Sequence, residues 1–181
     1  MLKKIGVIGL GKIGQNVVLN LLSKEYDIVV YNRSKEKVRK LKHRGLIPSY
    51  SILEFSKKLT SPRIILLFVT AGKPVDEIIQ TIIPYLNKDD IIIDGGNSYY
   101  KDSIKHYLKL KKKGINFIDM GTSGGLEGAR HGASLTIGGD KNIFKKIEYL
   151  FKDIATKNGY AYLGTSGSGH FTKMIHNGIE Y

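Results

Sequence analysis

Short apolar runs alternate with amphipathic stretches along most of the chain. Lys4 to Gly9, Asp27 to Tyr31, Arg63 to Val69 and Asp90 to Asp94 are dense in Ile, Val and Leu and read as strands. The nearly continuous apolar run at 63–69 suits a parallel strand covered on both faces. Helical patterns fall between them. One runs through Val17, Val18, Leu21 and Leu22, and a Lys-rich one starts after Ser34, its expected N-cap, and reaches about Arg44. A loop and a short helix over 51–59 follow, then helices from Pro74 to Leu86 and up to about Lys113. Later strands are expected at Asn116 to Met120, Ser134 to Ile137 and Gly159 to Leu163. A helix capped by Asp140 and reaching about Thr156 lies between the last two. The fold class this predicts is α/β, a doubly wound, Rossmann-type, mostly parallel sheet.

The last stretch breaks the rhythm. A Gly/Ser-rich loop leads at Gly169 into a helical pattern that places Lys173, His176, Asn177 and Glu180 on one face. Phe171, Ile175, Gly178 and Ile179 fall on the other, which is expected to pack. On an arbitrary helix the polar face would simply be solvated. Here it carries a base, an imidazole, an amide and an acid at i, i+3, i+4, i+7.

The first strand opens into Gly9-Leu10-Gly11-Lys12-Ile13-Gly14, followed by a helix and a second strand. In that setting the three glycines read as a dinucleotide fingerprint. Gly9 permits the tight turn, Gly11 lets a pyrophosphate approach the backbone, and Gly14 lets helix and strand pack. The helix N-terminus offers free N–H groups to the phosphates. The second strand ends in Asn32-Arg33-Ser34, where an NAD-binding fold usually carries Asp or Glu. A neutral residue followed by Arg and Ser suits a 2′-phosphate, so NADP is expected over NAD.

Two further loops close at strand ends, Val69-Thr70-Ala71 with Gly72-Lys73-Pro74, and Gly95-Gly96-Asn97-Ser98. The stretch 121–133 is rich in glycine and small polar residues and reads as a loop whose backbone N–H groups can cradle an anion. Gly138-Gly139 reads as a turn.

Composition narrows the function classes. The 181 residues include no Cys, so neither a disulfide framework nor a thiolate metal site is available. The start lacks a signal core, and no stretch approaches the ~20 apolar residues of a membrane span. A cytoplasmic protein is expected, with no membrane partner. The net charge of +13 suits polyanionic ligands. The lysines are scattered without an aromatic platform, so no nucleic-acid partner is expected.

These motifs resemble the 6-phosphogluconate dehydrogenase family: GLGKIGQN at 9–16, NRS at 32–34, IILLF at 64–68, IIIDGGNSYY at 91–100, SGGLEGARHG at 123–132 and GHFTKMIHNGIEY at 169–181. The resemblance covers essentially the whole chain. It implies NADP-dependent oxidative decarboxylation of 6-phosphogluconate to ribulose 5-phosphate and CO2. By resemblance, Lys173 is the general base for the substrate's 3-hydroxyl, a role that requires the neutral amine, and Glu180 is the acid that protonates the enediol at C1. Asn97, Ser123, Gly124, Gly125, His176, Asn177 and Tyr181 match substrate contacts, Tyr181 toward the phosphate. Residues Gly9, Leu10, Gly11, Lys12, Ile13, Gly14, Asn32, Arg33, Ser34, Val69, Thr70, Ala71 and Asn97 match the cofactor groove. No metal is implied.

Two residues depart from the family pattern. Thr70 stands where many members carry Lys, and Thr122 where Val is usual. The resemblance further implies residues 1–168 as the dinucleotide-binding domain and 169–181 as the start of a catalytic helix. That helix leads into an all-helical domain that builds a homodimer. Without that domain, turnover by this chain is not expected. Two alternatives are a non-catalytic dinucleotide-binding fragment and a sibling β-hydroxyacid dehydrogenase.

Overall fold

The computed structural model describes residues 3–41 and 45–180. Among them, strands β1 Lys4–Ile8, β2 Asp27–Tyr31, β3 Leu46–Ser49, β4 Ile64–Leu67, β5 Ile91–Asp94, β6 Asn116–Ser123, β7 Ala133–Gly139 and β8 Ala155–Gly164 form one sheet. Its order is β3-β2-β1-β4-β5-β6-β7-β8. All neighbours run parallel except β6 and β7. The helices are α1 Lys12–Leu22, α2 Lys35–Lys40, α3 Ile52–Lys57, α4 Lys73–Ile82, α5 Tyr100–Lys111, α6 Gly125–His131, α7 Lys141–Ile154 and α8 Ser168–Glu180.

Strand alternation divides the apolar residues between two cores. Leu66, Ile93 and Ile118 meet Val17, Val18 and Leu21 of α1 and Phe144 and Phe151 of α7. Ile65, Ile92 and Phe117 meet Phe55 of α3, Ile79 of α4 and Leu110 of α5. Every residue of β4 is buried, which is why that strand has no polar alternation. No helix among the described residues is long and apolar enough to cross a membrane.

Several local expectations are corrected. Residues 46–49 form an edge strand rather than part of a loop; Pro48 pairs opposite Val30, and an edge position tolerates its missing N–H. Helix α2 ends at Lys40, where Leu41 turns extended, and the expected continuation to Arg44 lies outside the described residues. The helix from Pro74 stops at Ile82 and tightens into a 3₁₀ turn at Ile83–Tyr85 around Pro84. Neither Ser34 nor Asp140 makes a side-chain cap bond; Asp140 accepts a hydrogen bond from the Tyr107 hydroxyl at 2.8 Å instead.

The stretch 121–133 is not a loop. Residues 121–123 complete β6, and 125–131 form α6, entered through Gly124 at φ +112°. Ala129 is buried in the core, Glu127 lies in the first turn, and Arg130 and His131 lie in the last. Gly138 and Gly139 belong to β7 rather than to a turn, paired with Asp119 and Ile118. Helix α7 ends at Ile154 and passes directly into β8, four residues before the expected strand start.

The largest correction concerns α8. Ile175 and Ile179 face solvent, with Ile179 83% exposed, and Phe171 packs edge to face on Tyr100 of α5 but is half exposed, while Gly169 and His170 are buried. Small residues rather than large apolar ones make this helix's contact with the sheet.

Candidate active site

Strand order reverses between β1 and β4, where a doubly wound sheet opens a crevice at its carboxyl edge. Three glycines shape the first loop there, for different reasons. A Cβ on Gly9, at φ +101°, would stand 2.2 Å from the Phe68 carbonyl oxygen, and one on Gly14 would stand 2.1 Å from that of Gly9. Both glycines are demanded by the protein's own packing. A Cβ on Gly11 would meet nothing within 4 Å. Its bareness leaves backbone open at the start of α1, where no side chain caps the helix.

Two cavities meet at this loop. The smaller, of about 480 Å³, is lined by Gly9, Asn32, Arg33, Ser34 and Lys37 among others. The larger, of about 800 Å³, is lined by Lys12, Ile13, Gly14, Asn97, Ser123, Gly124, Gly125, Lys173, His176, Asn177 and Glu180, among others. Gly11, Phe68, Val69 and Thr70 line both, so the two form one groove.

Local bonding fixes the walls. The Leu10 N–H donates to Asn32 Oδ1 at 2.9 Å, and Asn32 Nδ2 donates to the Ser34 carbonyl at 3.1 Å. Asn32 thus ties the glycine loop to the end of β2. Asp94, fully buried, accepts from Ser98 Oγ at 2.7 Å and from the Gly96 N–H at 3.1 Å, shaping the turn that presents Asn97. From α8, Lys173 Nζ donates to Ser123 Oγ at 2.7 Å. His176 Nδ1 lies 3.3 Å from Glu180 Oε2, with both side chains half exposed. Asn177 Oδ1 is buried and has no hydrogen-bond partner among the described residues. The arrangement combines bare backbone, a cationic end at Arg33 and Lys37 and, at the other end, an amine held by a hydroxyl. It can bind an extended anion and exchange protons at one end of it.

Most residues singled out in the sequence come together here, with two exceptions among the described residues. The Leu10 side chain is buried in the core and the exposed Ala71 lines neither cavity; Leu10 takes part through its N–H only. Tyr181 lies outside the described residues. Lys37, Phe68, Gly95, Gly96 and Thr122 line the groove without having been singled out for it. The signal for Lys37 was its spacing, four residues and about one helical turn after Arg33; Lys35, between them, lines neither cavity.

Comparison with known proteins gives concordant findings. Residues 4–164 match the family described as the NAD binding domain of 6-phosphogluconate dehydrogenase. A decarboxylating 6-phosphogluconate dehydrogenase of Buchnera aphidicola subsp. Schizaphis graminum is 46% identical over 190 residues, covering 100% of this chain and 40% of that protein. A relative from Bacillus subtilis (strain 168), named as NAD(+)-dependent and decarboxylating, is 44% identical over 189 residues, with the same two coverages, 100% and 40%. The solved Plasmodium falciparum 6-phosphogluconate dehydrogenase is described in apo form and in complex with its cofactor NADP+ and its substrate 6-phosphogluconate. It matches with a TM-score of 0.92 at 37% identity, over 98% of this chain and 40% of that one. This chain therefore spans 40% of the length of each of these three proteins.

Proposed function

The chain belongs to the 6-phosphogluconate dehydrogenase family through its NAD-binding domain, and on that premise we propose that it binds NADP and contributes the catalytic helix for oxidative decarboxylation of 6-phosphogluconate. One observation carries the reading. A single groove runs from Arg33 and Lys37, over bare Gly11, to Lys173 and Glu180.

Gly9 to Gly14 and the start of α1 would hold the pyrophosphate, with Val69 and Thr70 along the groove. Arg33 and Lys37 favour a 2′-phosphate, and Asn32, just after β2, stands where a carboxylate would hold an NAD ribose. A relative named as NAD-dependent belongs to the same family, so the preference for NADP rests on residues 32–37. When bound, the nicotinamide supplies the acceptor for the hydride leaving the substrate's hydroxyl-bearing carbon. Lys173 Nζ takes that hydroxyl's proton, and Ser123 holds the amine at the groove wall. The resulting keto acid loses its carboxyl group as CO2. Glu180, paired with His176, protonates the enediol at the carbon that carried the carboxyl. Asn97, Gly124, Gly125, His176 and Asn177 orient the substrate, and their polar groups match its hydroxyls and carboxylate. A homodimer and a cytoplasmic setting are part of the same reading.

A second reading is that this chain alone binds the dinucleotide without turnover. It is favoured by Ile175 and Ile179, which stand exposed on α8. Calorimetric titration with NADP+ and NAD+, followed by absorbance of the reduced cofactor with 6-phosphogluconate, separates the readings. Tighter NADP+ binding with turnover supports the first, and binding without turnover the second. Oxidation of 3-hydroxyisobutyrate but not 6-phosphogluconate would point to a sibling β-hydroxyacid dehydrogenase. No dinucleotide binding at all would overturn every version.

A further inference from the structure

One face of β6 meets α8 through three successive residues of the same parity, Asp119, Gly121 and Ser123. Each does something different. Ser123 Oγ accepts from Lys173 Nζ at 2.7 Å. Gly121 leaves room for the same lysine, because a Cβ there would stand 2.5 Å from Lys173 Cβ. Asp119, fully buried, accepts from the Gly167 N–H at 2.7 Å, the His170 N–H at 3.0 Å and Ser166 Oγ at 3.3 Å.

The first N–H groups of a helix need acceptors, usually from a Ser, Thr, Asp or Asn at the N-cap. Helix α8 opens instead after Gly167, at φ +96°, which has no side chain to offer. The acceptor comes from a carboxylate 48 residues earlier in the chain. Its charge also complements the positive end of the helix.

Glycines set the distance. A Cβ on Gly169 would stand 2.6 Å from the carbonyl oxygens of Asp119 and Thr136, and one on Gly138 would stand 2.7 Å from the Gly169 nitrogen. Thr136 Oγ1 donates to the Gly169 carbonyl at 2.9 Å. The start of the helix therefore lies directly on the backbone of β6 and β7.

We propose that Asp119 is a positioning residue: its carboxylate caps α8 from the strand that carries Ser123, and so sets the register of Lys173 against Ser123. Asp119 lines neither cavity of the groove, so it acts through Lys173 rather than on a ligand. The catalytic meaning of the device rests on the reading of Lys173 as the base; the cap itself does not.

The test compares this chain with Asp119→Ala and with the isosteric Asp119→Asn, using amide hydrogen exchange and the NMR contact between the Lys173 side chain and Ser123 Hβ. In Asp119→Ala, exchange at Gly167 and His170 is expected to rise at least tenfold and the Lys173–Ser123 contact to vanish. Amides of Leu66 and Ile92 stay protected. Asp119→Asn keeps one acceptor oxygen and is expected to protect one of the two amides and retain the contact in part. Should the Ala variant fail to fold, the Asn variant alone decides between the outcomes. Parent-like exchange at both amides in either variant overturns the cap. Faster exchange with an intact Lys173–Ser123 contact overturns the positioning role. Where the parent protein turns over 6-phosphogluconate, undiminished turnover in Lys173→Ala would instead overturn the base reading and leave the cap result standing.

Discussion

Lys173 and Ser123, fifty residues apart in the chain, meet at 2.7 Å where α8 crosses the end of β6. A flexible amine is thereby held at the wall of the larger cavity, next to Asn177 and Glu180. If Lys173 is the base and the parent protein turns over, Lys173→Ala lowers turnover of 6-phosphogluconate by roughly 100- to 10,000-fold, the usual range for losing a positioned acid or base. Calorimetry should find NADP+ affinity unchanged, because Lys173 does not line the smaller cavity. Loss of NADP+ binding together with turnover would mean a folding defect rather than a missing base.

Ser123→Ala removes the partner but leaves the amine. Lys173 gains charge only as it takes the proton, so the bond strengthens toward the transition state, where a hydrogen bond to a charged group contributes about 1.5–3 kcal/mol. If the bond persists into the transition state, kcat should fall roughly 10- to 100-fold. Steady-state kinetics that show a change in KM only would mean that Ser123 binds substrate and does not position Lys173.

Cofactor choice can be read at the end of β2. Arg33→Ala is expected to weaken NADP+ binding by roughly 10- to 100-fold, the value of one charge-assisted contact, and to leave NAD+ binding unchanged. Asn32→Asp keeps the acceptor for the Leu10 N–H and adds a negative charge beside the ribose site. Paired titrations with the two dinucleotides should then show the preference moving toward NAD+. Equal losses for both dinucleotides in Arg33→Ala would place the arginine elsewhere than at a 2′-phosphate.

The sequence carried the sheet and the groove well because their signals are local. Runs such as Ile64–Leu67 have no polar alternation, and the glycine fingerprint sits between a strand and a helix. It carried the sheet's edges and α6 poorly. Pro48 disguises an edge strand, and Gly124, Gly125 and Gly128 look like loop composition until Ala129 is seen buried in the core. Periodicity gave α8 two faces but not which one is covered. That depends on Gly121, Gly138 and Gly169, whose missing side chains bring helix and sheet together at long range.

Alkaline stability offers a test of the core beneath α1. Burial, with the Asp153 carboxylate that accepts its hydroxyl at 2.6 Å, pushes Tyr26 far above the ordinary tyrosine value. A group whose folded pKa is raised contributes fully below its unfolded pKa. Stability is therefore expected to hold to about pH 10 and to decline above it, as the unfolded tyrosine ionises and the folded one does not. Tyr26→Phe should cost about 1 kcal/mol at neutral pH and flatten the alkaline decline, measured by urea unfolding at several pH values. The decline should not vanish, since Tyr149, Tyr160 and Tyr162 are also raised, Tyr160 chiefly by its bond to Glu148 and the other two chiefly by burial.

The sharpest distinction available is between two glycines of one loop. Gly14 is closed in by the protein, with Gly9 oxygen 2.1 Å and Phe68 Cβ 2.8 Å from where its Cβ would stand. Gly14→Ala should therefore lower the unfolding temperature, displace the loop and lose dinucleotide binding with it. Gly11 sits at φ −69° in extended backbone with nothing within 4 Å of a built Cβ, so alanine is accommodated without strain. Gly11→Ala should leave thermal unfolding unchanged, yet still weaken both NADP+ and NAD+, because its methyl group occupies the space the pyrophosphate must enter. Thermal scans with and without dinucleotide measure both effects in one experiment. A Gly11→Ala variant that binds both dinucleotides normally would show that the pyrophosphate does not cross this loop, and the proposed groove would lose its central point.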